Sequence, residues 1–344
     1  MSEPPVQPLA ADPAARVIVA GASGFAGALA AELAWRHPRL ELVAITARAD
    51  AGKPLTELYP RYRVPLELAE LDLSRLDGID AAIVAYPHGA AAPVVAEMRG
   101  LGIQVVDLSA DFRLRDLPTY ERWYGPHGEP DLLESAAYGL TELHRERVRE
   151  AELVANPGCY PTAALLALAP LAERGLIASA VIDAKSGVSG AGRGGGDRLH
   201  FVNVDENFAP YGTDGHRHGP EIDQELAALG YDGGATFVPH LLPLDQGLLA
   251  TCYAELAEPL DGDRLRSLYD DRYRDEPFVE VLSRPPGVRE VRDTNLCRVH
   301  ATPSADGRRV VAFAAIDNLW KGASGQAIQN LNLMLGLPET EGLR

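Results

Sequence analysis

The sequence predicts two domains of different type: an α/β domain with a parallel sheet, then an α+β domain with a mostly antiparallel sheet. Near the N-terminus a strand, a glycine-rich turn, a helix and a second strand follow one another, which is typical of a parallel βαβ unit. Beyond about residue 156 the strands are longer and are joined by turns, which favours antiparallel pairing. A chain of 344 residues, 46% of them apolar, is long enough for both domains.

The elements of the first half alternate in type along the chain. Short apolar runs predict strands at 16–21, 40–46, 80–85, 103–107 and 152–155. Segments rich in helix-forming residues predict helices at 25–35 and 90–99. Because helices separate successive strands, we expect one parallel sheet in a domain that spans 16–155. Residues 1–15, rich in Pro and Ala, are expected to form a flexible tail.

The second predicted domain covers 156–317. Longer runs predict strands at 180–184, 235–242, 248–255, 296–302 and 309–316. The last two flank the turn-forming residues 303–307, which predicts a hairpin. A short helix is expected at 221–228, and 324–335 has the apolar spacing of a helix with one buried face.

Composition excludes several classes of protein. The formal net charge is −17, from 32 Lys and Arg against 49 Asp and Glu, which argues against binding to nucleic acid or to an anionic membrane surface. No apolar stretch is long enough to span a membrane, and the N-terminus lacks the pattern of a secretory signal. Three widely spaced cysteines match neither a disulfide framework nor a metal cluster, so we expect no metal and a reducing, cytoplasmic location.

The glycine turn predicts a dinucleotide site. Gly21, Gly24 and Gly27 follow the first strand and open the first helix, where backbone amides and the helix N-terminus can hold a pyrophosphate, as in Rossmann-type domains. An unliganded turn is the alternative. The second strand ends in Thr46 and Arg48 rather than in an acidic residue, which favours a 2′-phosphate and therefore NADP over NAD. The alternative is that Arg48 is an ordinary surface arginine.

Cys159 is the candidate nucleophile. It follows Pro157 and Gly158, which predict a tight bend, and precedes Pro161, which suits the first turn of a helix. A thiol just ahead of a helix N-terminus is close to free amides and to the positive end of the dipole, which favour a thiolate. Cys252 and Cys297 lie within strand patterns, where cysteine is usually a buried apolar residue.

Two further segments carry candidate polar groups. His216 and His218 precede the helix at 221–228, and either could handle a proton, bind a metal or lie in a surface loop. The loop at 186–196 contains six glycines. Its amides, its serines and Arg193 could bind a phosphate or let a nicotinamide approach the backbone, and a flexible linker is the alternative reading.

Seven motifs in register resemble the N-acetyl-γ-glutamyl-phosphate reductases of arginine biosynthesis, within the semialdehyde dehydrogenase superfamily. They lie at residues 21–27, 108–113, 156–162, 185–193, 215–218, 239–243 and 317–330. The resemblance covers about Arg16 to Gly336, and Ser324, where alanine is common, is a minor departure. It implies an NADP(H)-dependent enzyme that reduces an acyl phosphate to a semialdehyde through a cysteine thioester. It also implies that a C-terminal helix, 318–336, completes the first domain.

The resemblance implies specific roles at matching positions. The nucleophile falls on Cys159 and the acid/base histidine on His218 rather than His216. The candidate cofactor-binding residues are Gly21, Ser23, Gly24, Phe25, Gly27, Thr46, Arg48, Gly187, Asn318 and Gly322. The candidate substrate-binding residues are Arg113 for the α-carboxylate, Ser189 and Arg193 for the transferred phosphate, and Asn156 and Tyr211 in the pocket. Members of the family are homodimers or homotetramers.

Other functions remain open at this point. A related reductase could act on aminoadipyl phosphate in lysine biosynthesis. Aspartate-semialdehyde dehydrogenase uses the same chemistry, but its cysteine lies in a different sequence context from that of Cys159. A nucleotide-binding sensor without catalysis is a third alternative, and the presence of both Cys159 and His218 argues against it.

Overall fold

The computed structural model describes residue 7 and residues 13–194 and 196–343. It divides into two compact units, the first formed by Met1–Pro157 and Ala323–Arg344, the second by Gly158–Gly322. Most of the predicted tail at 1–15 lies outside the described residues, and the first strand begins at Ala15. Among the described residues no helix is both long and apolar enough to cross a membrane.

The first unit contains a seven-stranded parallel sheet in the order β3-β2-β1-β4-β5-β7-β6. Its strands are β1 (Ala15–Ala20), β2 (Leu40–Thr46), β3 (Leu68–Ala69), β4 (Ala81–Val84), β5 (Gln104–Asp107), β6 (Ala137–Tyr138) and β7 (Leu153–Ala155). Its helices are α1 (Phe25–Arg36), α2 (Leu55–Leu58), α3 (Ala92–Gly100), α4 (Leu117–Tyr124), α5 (Thr141–Glu150) and, near the C-terminus, α10 (Gly325–Met334).

The central strands of this sheet are apolar on both faces. Every residue of β4 is buried, and β1 is buried at all positions except Arg16. Strands of this type form where helices cover both sides of a parallel sheet. Here α1 packs on β1 and β2, and α3 packs on β5. The predicted parallel α/β domain is confirmed, and the carboxyl ends of its strands are where the glycine turn begins.

The second unit contains a seven-stranded mixed sheet in the order β12-β13-β14-β11-β8-β10-β9. Its strands are β8 (Ile177–Gly187), β9 (Ala209–Pro210), β10 (Ala235–Leu242), β11 (Leu248–Leu256), β12 (Val279–Val281), β13 (Cys297–Pro303) and β14 (Arg309–Ile316). Its helices are α6 (Cys159–Ala172), α7 (Phe201–Val204), α8 (Gly219–Ala228) and α9 (Gly262–Tyr273). Four of the six strand pairs are antiparallel, in agreement with the predicted mostly antiparallel sheet.

Helix α6 forms the core of the second unit. All its residues from Tyr160 to Ala172 are buried, and it packs on β11, β13 and β14. A helix that is apolar all round is expected only where neighbours surround it. Because α6 is held in this way, the position of its first residue, Cys159, is determined by the sheet beneath it.

Two helices that we did not predict begin with recognisable caps. The Asp116 side chain accepts the amide of Thr119 at the start of α4, and Asp261 accepts that of Arg264 at the start of α9. Both segments mix charged residues with apolar and aromatic ones at helical spacing, such as Leu265, Tyr269 and Tyr273 in α9. This spacing and the aspartates at the N-caps were the available signals.

Candidate active site

Cys159 is the first residue of α6, with Gly158 at the N-cap. The sequence placed it just ahead of the helix, and the structure places it one residue further in. The carbonyl of Gly158 accepts both the amide and the hydroxyl of Thr162, at 2.9 and 3.0 Å, which closes the first turn. Cys159 therefore lies in the first turn of the helix, at the positive end of its dipole.

The three cysteines differ in exposure as predicted. Cys159 is partly exposed, whereas Cys252 and Cys297 are completely buried. Burial raises the pKa of the Cys252 thiol to about 12, because a thiolate there would lose its hydration. None of the three forms a disulfide. Cys159 is the cysteine whose surroundings suit a nucleophile.

The imidazole of His218 packs directly on the residue before Cys159. A methyl group added to Gly158 would lie 2.5 Å from His218 Nε2 and within 2.9 Å of two ring carbons. A side chain at position 158 would therefore displace the ring. His218 is the N-cap of α8, so its backbone belongs to a second helix that begins beside α6.

His216 lies in the same cluster but makes a different contact. Its Nδ1 accepts the backbone amide of His218 at 3.1 Å, and the two rings are 4.9 Å apart between centroids. A nitrogen that accepts an N–H carries no proton, so this contact favours the neutral tautomer with the proton on Nε2. His216 is thus engaged in shaping the loop, and His218 remains the better candidate for proton transfer.

Glu221 is a residue of this cluster that the sequence analysis missed. Its Oε1 accepts the backbone amide of Gly158 at 2.8 Å, and the residue is 1% exposed. Positions 158 and 221 are far apart in sequence, so no local pattern predicts the contact. The available signal was an acidic residue three positions after His218 in the first turn of a helix.

Tyr160 and Tyr211 form a hydrogen-bonded pair behind the cysteine. The Tyr211 hydroxyl donates to that of Tyr160 at 3.3 Å, and the Tyr160 hydroxyl donates to the carbonyl of His240 at 2.9 Å. Burial, and to a lesser degree Tyr211, raises the pKa of Tyr160 well above its usual value. Tyr160 therefore acts here as a hydrogen-bonding residue and remains neutral at physiological pH.

The glycine-rich loop is attached to its surroundings through two predicted site residues. Asn318 accepts the amide of Gly247 at 2.8 Å and donates to the Ser189 hydroxyl at 2.9 Å. That hydroxyl in turn donates to the carbonyl of Asp245 at 2.5 Å. The hydroxyl proton of Ser189 is therefore used in this contact, and the amides of Gly187, Val188 and Ser189 likewise donate to backbone carbonyls of the segment 244–247. Arg193, also predicted, is exposed on the same loop.

At Gly187 and Gly322 neighbouring atoms lie so close to the backbone that a side chain would not fit. A methyl group on Gly187 would lie 2.6 Å from the carbonyl oxygen of Asp245. On Gly322 it would lie 2.7 Å from the Cβ of Cys159, so a side chain there would push the cysteine out of place. Gly322 is held by a hydrogen bond from its amide to the carbonyl of Asp317 at 3.0 Å.

The glycine turn of the first unit has the geometry of a phosphate cradle. Gly21 has φ +90°, and a methyl group on Gly27 would lie 2.2 Å from the Gly21 carbonyl oxygen, so both positions require glycine. At Gly24, the N-cap of α1, an added methyl would have only one neighbour within 4 Å among the described residues, at 3.8 Å. Internal packing does not require glycine there, whereas close approach of a pyrophosphate would.

The residues around the turn are held in place by their neighbours. The carbonyl of Thr46 accepts the amides of Gly21 and Ala22, at 3.0 and 2.8 Å. The carbonyl of Ser23 accepts the hydroxyl of Tyr59 at 2.7 Å, and the Tyr59 ring lies edge-on to Phe25. Arg48 is exposed just beyond the end of β2, close to where the second strand of a dinucleotide-binding domain meets the adenosine ribose.

Arg113 and Asn156 lie together in the first unit. Arg113 is 6% exposed and donates to the carbonyls of Asn156 and Leu108, at 2.7 and 2.8 Å. The Asn156 side chain donates to the carbonyl of Ala323 at 3.1 Å and accepts from Asn330 at 3.1 Å. Asn156 thus joins β7 to α10, while part of the Arg113 guanidinium is already used in backbone contacts.

Asp107, at the end of β5, is a buried acid that we did not single out. Burial raises the pKa of its carboxyl to about 7, although Ser109 donates to it through both its amide and its hydroxyl and so opposes the shift. The nearby Asp111 raises the pKa further, and Arg113 lowers it. The carboxyl consequently changes its charge in the physiological range.

Asp107→Asn is expected to remove one component of the pH dependence of stability. Between the unfolded pKa of 3.8 and the folded pKa of about 7, the native carboxyl keeps a proton that the unfolded one has lost, so wild-type stability falls as pH rises. Across this range the wild type loses about 4 kcal/mol of unfolding free energy through this carboxyl. In thermal unfolding from pH 4 to pH 8, the melting temperature of the variant should rise relative to that of the wild type up to about pH 7. Above that pH the difference between the two melting temperatures should stay constant. A constant difference would contradict the assignment.

Comparisons with known proteins agree with these two units. The family model described as semialdehyde dehydrogenase, NAD binding domain, matches residues 16–151, and the one described as semialdehyde dehydrogenase, dimerisation domain, matches 159–318. Among solved structures, aspartate semialdehyde dehydrogenase II from Vibrio cholerae superposes with a TM-score of 0.72 at 18% identity, over 94% of this chain and 98% of that one. That likeness shows the fold. An aspartate semialdehyde dehydrogenase from Candida albicans, solved with NADP, gives a TM-score of 0.66 at 14% identity, over 93% and 98%.

Curated relatives are considerably closer in sequence. An N-acetyl-gamma-glutamyl-phosphate reductase from Marinobacter nauticus is 48% identical over 336 residues, 95% of this chain and 97% of the relative. A reductase of the same name from Pelotomaculum thermopropionicum is 49% identical over 339 residues, 96% and 98% of the two chains. Similarity at this level over nearly the full length shows that the chain belongs to the N-acetyl-γ-glutamyl-phosphate reductase family.

Proposed function

We propose that the protein reduces N-acetyl-γ-glutamyl phosphate to N-acetylglutamate γ-semialdehyde and phosphate, with NADPH, in arginine biosynthesis. The observation that carries this proposal is the arrangement of Cys159 and His218 on either side of Gly158. A partly exposed cysteine begins a helix, and the ring of His218 packs on the residue before it. This is the arrangement that nucleophilic catalysis at an acyl group requires. The names of the curated relatives supply the substrate.

In the first step the thiolate of Cys159 attacks the γ-carbonyl carbon of the acyl phosphate. A C–S bond forms, the C–O bond to the phosphate breaks, and phosphate leaves with the electron pair, so that a thioester remains on the enzyme. The tetrahedral intermediate carries a negative oxygen, which amides at the start of α6 are placed to stabilise. Pro161 contributes no N–H and that of Gly158 is bound by Glu221, so the donors of this turn are the amides of Cys159 and Tyr160.

In the second half of the reaction the thioester carbon is reduced. When bound, NADPH would supply the hydride, and Cys159 would then hold the reduced carbon as a thiohemiacetal. His218 donates a proton to the developing alkoxide and removes it again as the C–S bond breaks. The aldehyde leaves, and the thiolate is regenerated for the next turnover.

The residues of the glycine turn fit the pyrophosphate of NADP(H), as the open space at Gly24 indicates. We assign the turn itself to Gly21, Ser23, Gly24, Phe25 and Gly27, and the 2′-phosphate to Thr46 and Arg48. Gly187, Asn318 and Gly322 are proposed near the nicotinamide. Asn318 acts there by holding the loop backbone through Gly247 and Ser189.

For the substrate we propose Arg113 at the α-carboxylate and Arg193 at the transferred phosphate. A guanidinium matches both anions geometrically. Ser189 is proposed at the same phosphate; its hydroxyl and its backbone amide both donate to the carbonyl of Asp245, so one of these donors must turn away from Asp245 to bind the anion. Asn156 holds the backbone beside Arg113, and Tyr211 lines the pocket through its contact with Tyr160.

Arg48→Ala is expected to lower kcat/KM for NADPH by about 10- to 100-fold, the usual contribution of a charge-assisted bond to phosphate. With NADH, which lacks the 2′-phosphate, the variant should behave like the wild type. The measurement is steady-state kinetics with each coenzyme. Equal losses with both coenzymes would show that Arg48 does not read the 2′-phosphate.

The function itself is tested by turnover with three acyl phosphates. N-acetylglutamyl phosphate, aminoadipyl phosphate and aspartyl phosphate are compared under identical conditions with NADPH. We expect the highest kcat/KM with N-acetylglutamyl phosphate. Higher turnover of aminoadipyl phosphate would favour the lysine-pathway alternative, and no turnover with any of the three would favour a sensor.

Domain roles and assembly complete the proposal. We assign cofactor binding to 16–155 with 318–336, and catalysis and subunit contacts to 156–317. A homodimer or homotetramer is supported by the name of the matched dimerisation domain and by the open face of the second sheet, where Val181 and Tyr253 are 40% and 46% exposed. Sedimentation analysis tests this. We propose a cytoplasmic location, as expected for a biosynthetic enzyme whose cysteines form no disulfide.

A further inference from the structure

We infer that Glu221 is a positioning residue of this active site, holding Cys159 at a fixed place relative to His218. This inference rests on the proposed function and adds a residue that the motif positions did not assign. Its basis is the hydrogen bond from the Gly158 amide to Glu221 Oε1, at 2.8 Å, made by a carboxyl group that is almost completely buried.

Gly158 contacts both helices of the site: α6, which begins with Cys159, and α8, which carries Glu221 and has His218 as its N-cap. Its amide binds Glu221, its carbonyl accepts Thr162 within α6, and its Cα faces the ring of His218. The next residue is Cys159. Any movement of Gly158 relative to α8 therefore changes the distance between the thiol and the imidazole.

Glu221 and His218 belong to one rigid element. His218 is the N-cap of α8, and Glu221 is the third residue of the helix proper. The carboxylate and the imidazole thus move together, and the bond to Gly158 attaches the start of α6, Gly158 and Cys159 (the cysteine turn), to that same helix. Without the bond, this link between the start of α6 and α8 would be lost.

The usual local role of a glutamate at this position does not account for the contact. Glutamate at the third position of a helix commonly reaches back to the amide of the N-cap residue. Here the amide of His218 donates to His216 Nδ1 instead, at 3.1 Å. His216 thus takes the place of the capping glutamate, which leaves Glu221 to reach across to the other helix.

Asp223 supplies a matched control on the same helix. Its Oδ1 accepts the amide of Ala235, also at 2.8 Å, at the start of β10 and away from the cysteine turn. Asp223→Ala therefore removes the same kind of bond from the same helix. If Glu221 only stabilised the fold, Glu221→Ala and Asp223→Ala would both lower the melting temperature and would affect kcat to the same extent.

The test compares Glu221→Gln, Glu221→Ala and Asp223→Ala in the full-length protein. For each we measure kcat and KM with N-acetylglutamyl phosphate and NADPH, the dissociation constant of NADPH, and thermal unfolding. Glu221→Ala should lose about 100-fold in kcat, the effect of a misplacement near 1 Å, with KM and NADPH binding little changed. Glu221→Gln, whose amide oxygen can still accept the Gly158 N–H, should stay within about fivefold of wild type. Asp223→Ala should melt earlier and keep its kcat.

Three results would overturn the inference: an unchanged kcat in Glu221→Ala, equal losses in kcat in the two alanine variants, or a Gln variant as slow as the Ala variant. If Glu221→Ala does not fold, Glu221→Asp, shorter by one methylene and unable to reach Gly158 without movement, takes its place and should show the same loss in kcat. Failure of the proposed function is separate, because it shows as absence of turnover in the wild-type protein.

Discussion

Cys159→Ser is expected to lower phosphate-dependent reduction of NADP by the semialdehyde by on the order of 10³-fold or more, because a serine hydroxyl at this position is a far weaker nucleophile than a thiolate. NADPH binding should be unchanged, since the glycine turn belongs to the other unit of the chain. The measurements are steady-state turnover and a fluorescence titration with NADPH. Unchanged turnover would remove the covalent mechanism altogether.

The other two cysteines provide an internal control for this prediction. Cys252 and Cys297 are completely buried, and the pKa of Cys252 is raised to about 12 by burial. Iodoacetate reacts with exposed thiolates, so native wild-type protein should be labelled at Cys159 alone. The Cys159→Ser variant should take up almost no label until it is unfolded. Equal labelling of all three cysteines in the native protein would show that Cys159 has no special reactivity.

The features that were predicted correctly are those set by neighbours in sequence. The glycine turn follows β1 directly, and the bend before α6 is formed by Pro157 and Gly158 next to Cys159 itself. Such patterns depend on backbone geometry over a few residues, so they can be recognised in one sequence.

The features that were missed depend on partners distant in sequence. Glu221 binds a residue 63 positions away, and Asn156 binds Asn330, which is 174 positions away. The four amide side chains of α10, at positions 326, 329, 330 and 332, are completely buried, although polar residues in a helix normally indicate an exposed face. Gln326, Gln329 and Asn330 donate to α5 or to the segment before it, and Asn332 donates to the carbonyls of Glu339 and Glu341. Nothing in the helix sequence itself shows that the partners of the first three, 185 to 191 positions away, exist.

His218→Asn is expected to reduce kcat by about 10²- to 10⁴-fold, the usual contribution of a general acid–base residue. Asparagine occupies part of the volume of the ring above Gly158, so α8 and the bond from Gly158 to Glu221 should persist while proton transfer is lost. Thermal unfolding close to that of the wild type would support a chemical rather than a structural cause.

His216→Asn is the matched comparison, because the two histidines lie in the same loop with their rings 4.9 Å apart. The role of His216 is to accept the His218 amide through Nδ1, and an asparagine oxygen can accept the same N–H from a similar position. We therefore expect a loss in kcat below about tenfold, within what one neutral hydrogen bond contributes. A larger loss in His216→Asn than in His218→Asn would reverse the assignment, and proton transfer would then belong to the residue that the structure engages in shaping the loop.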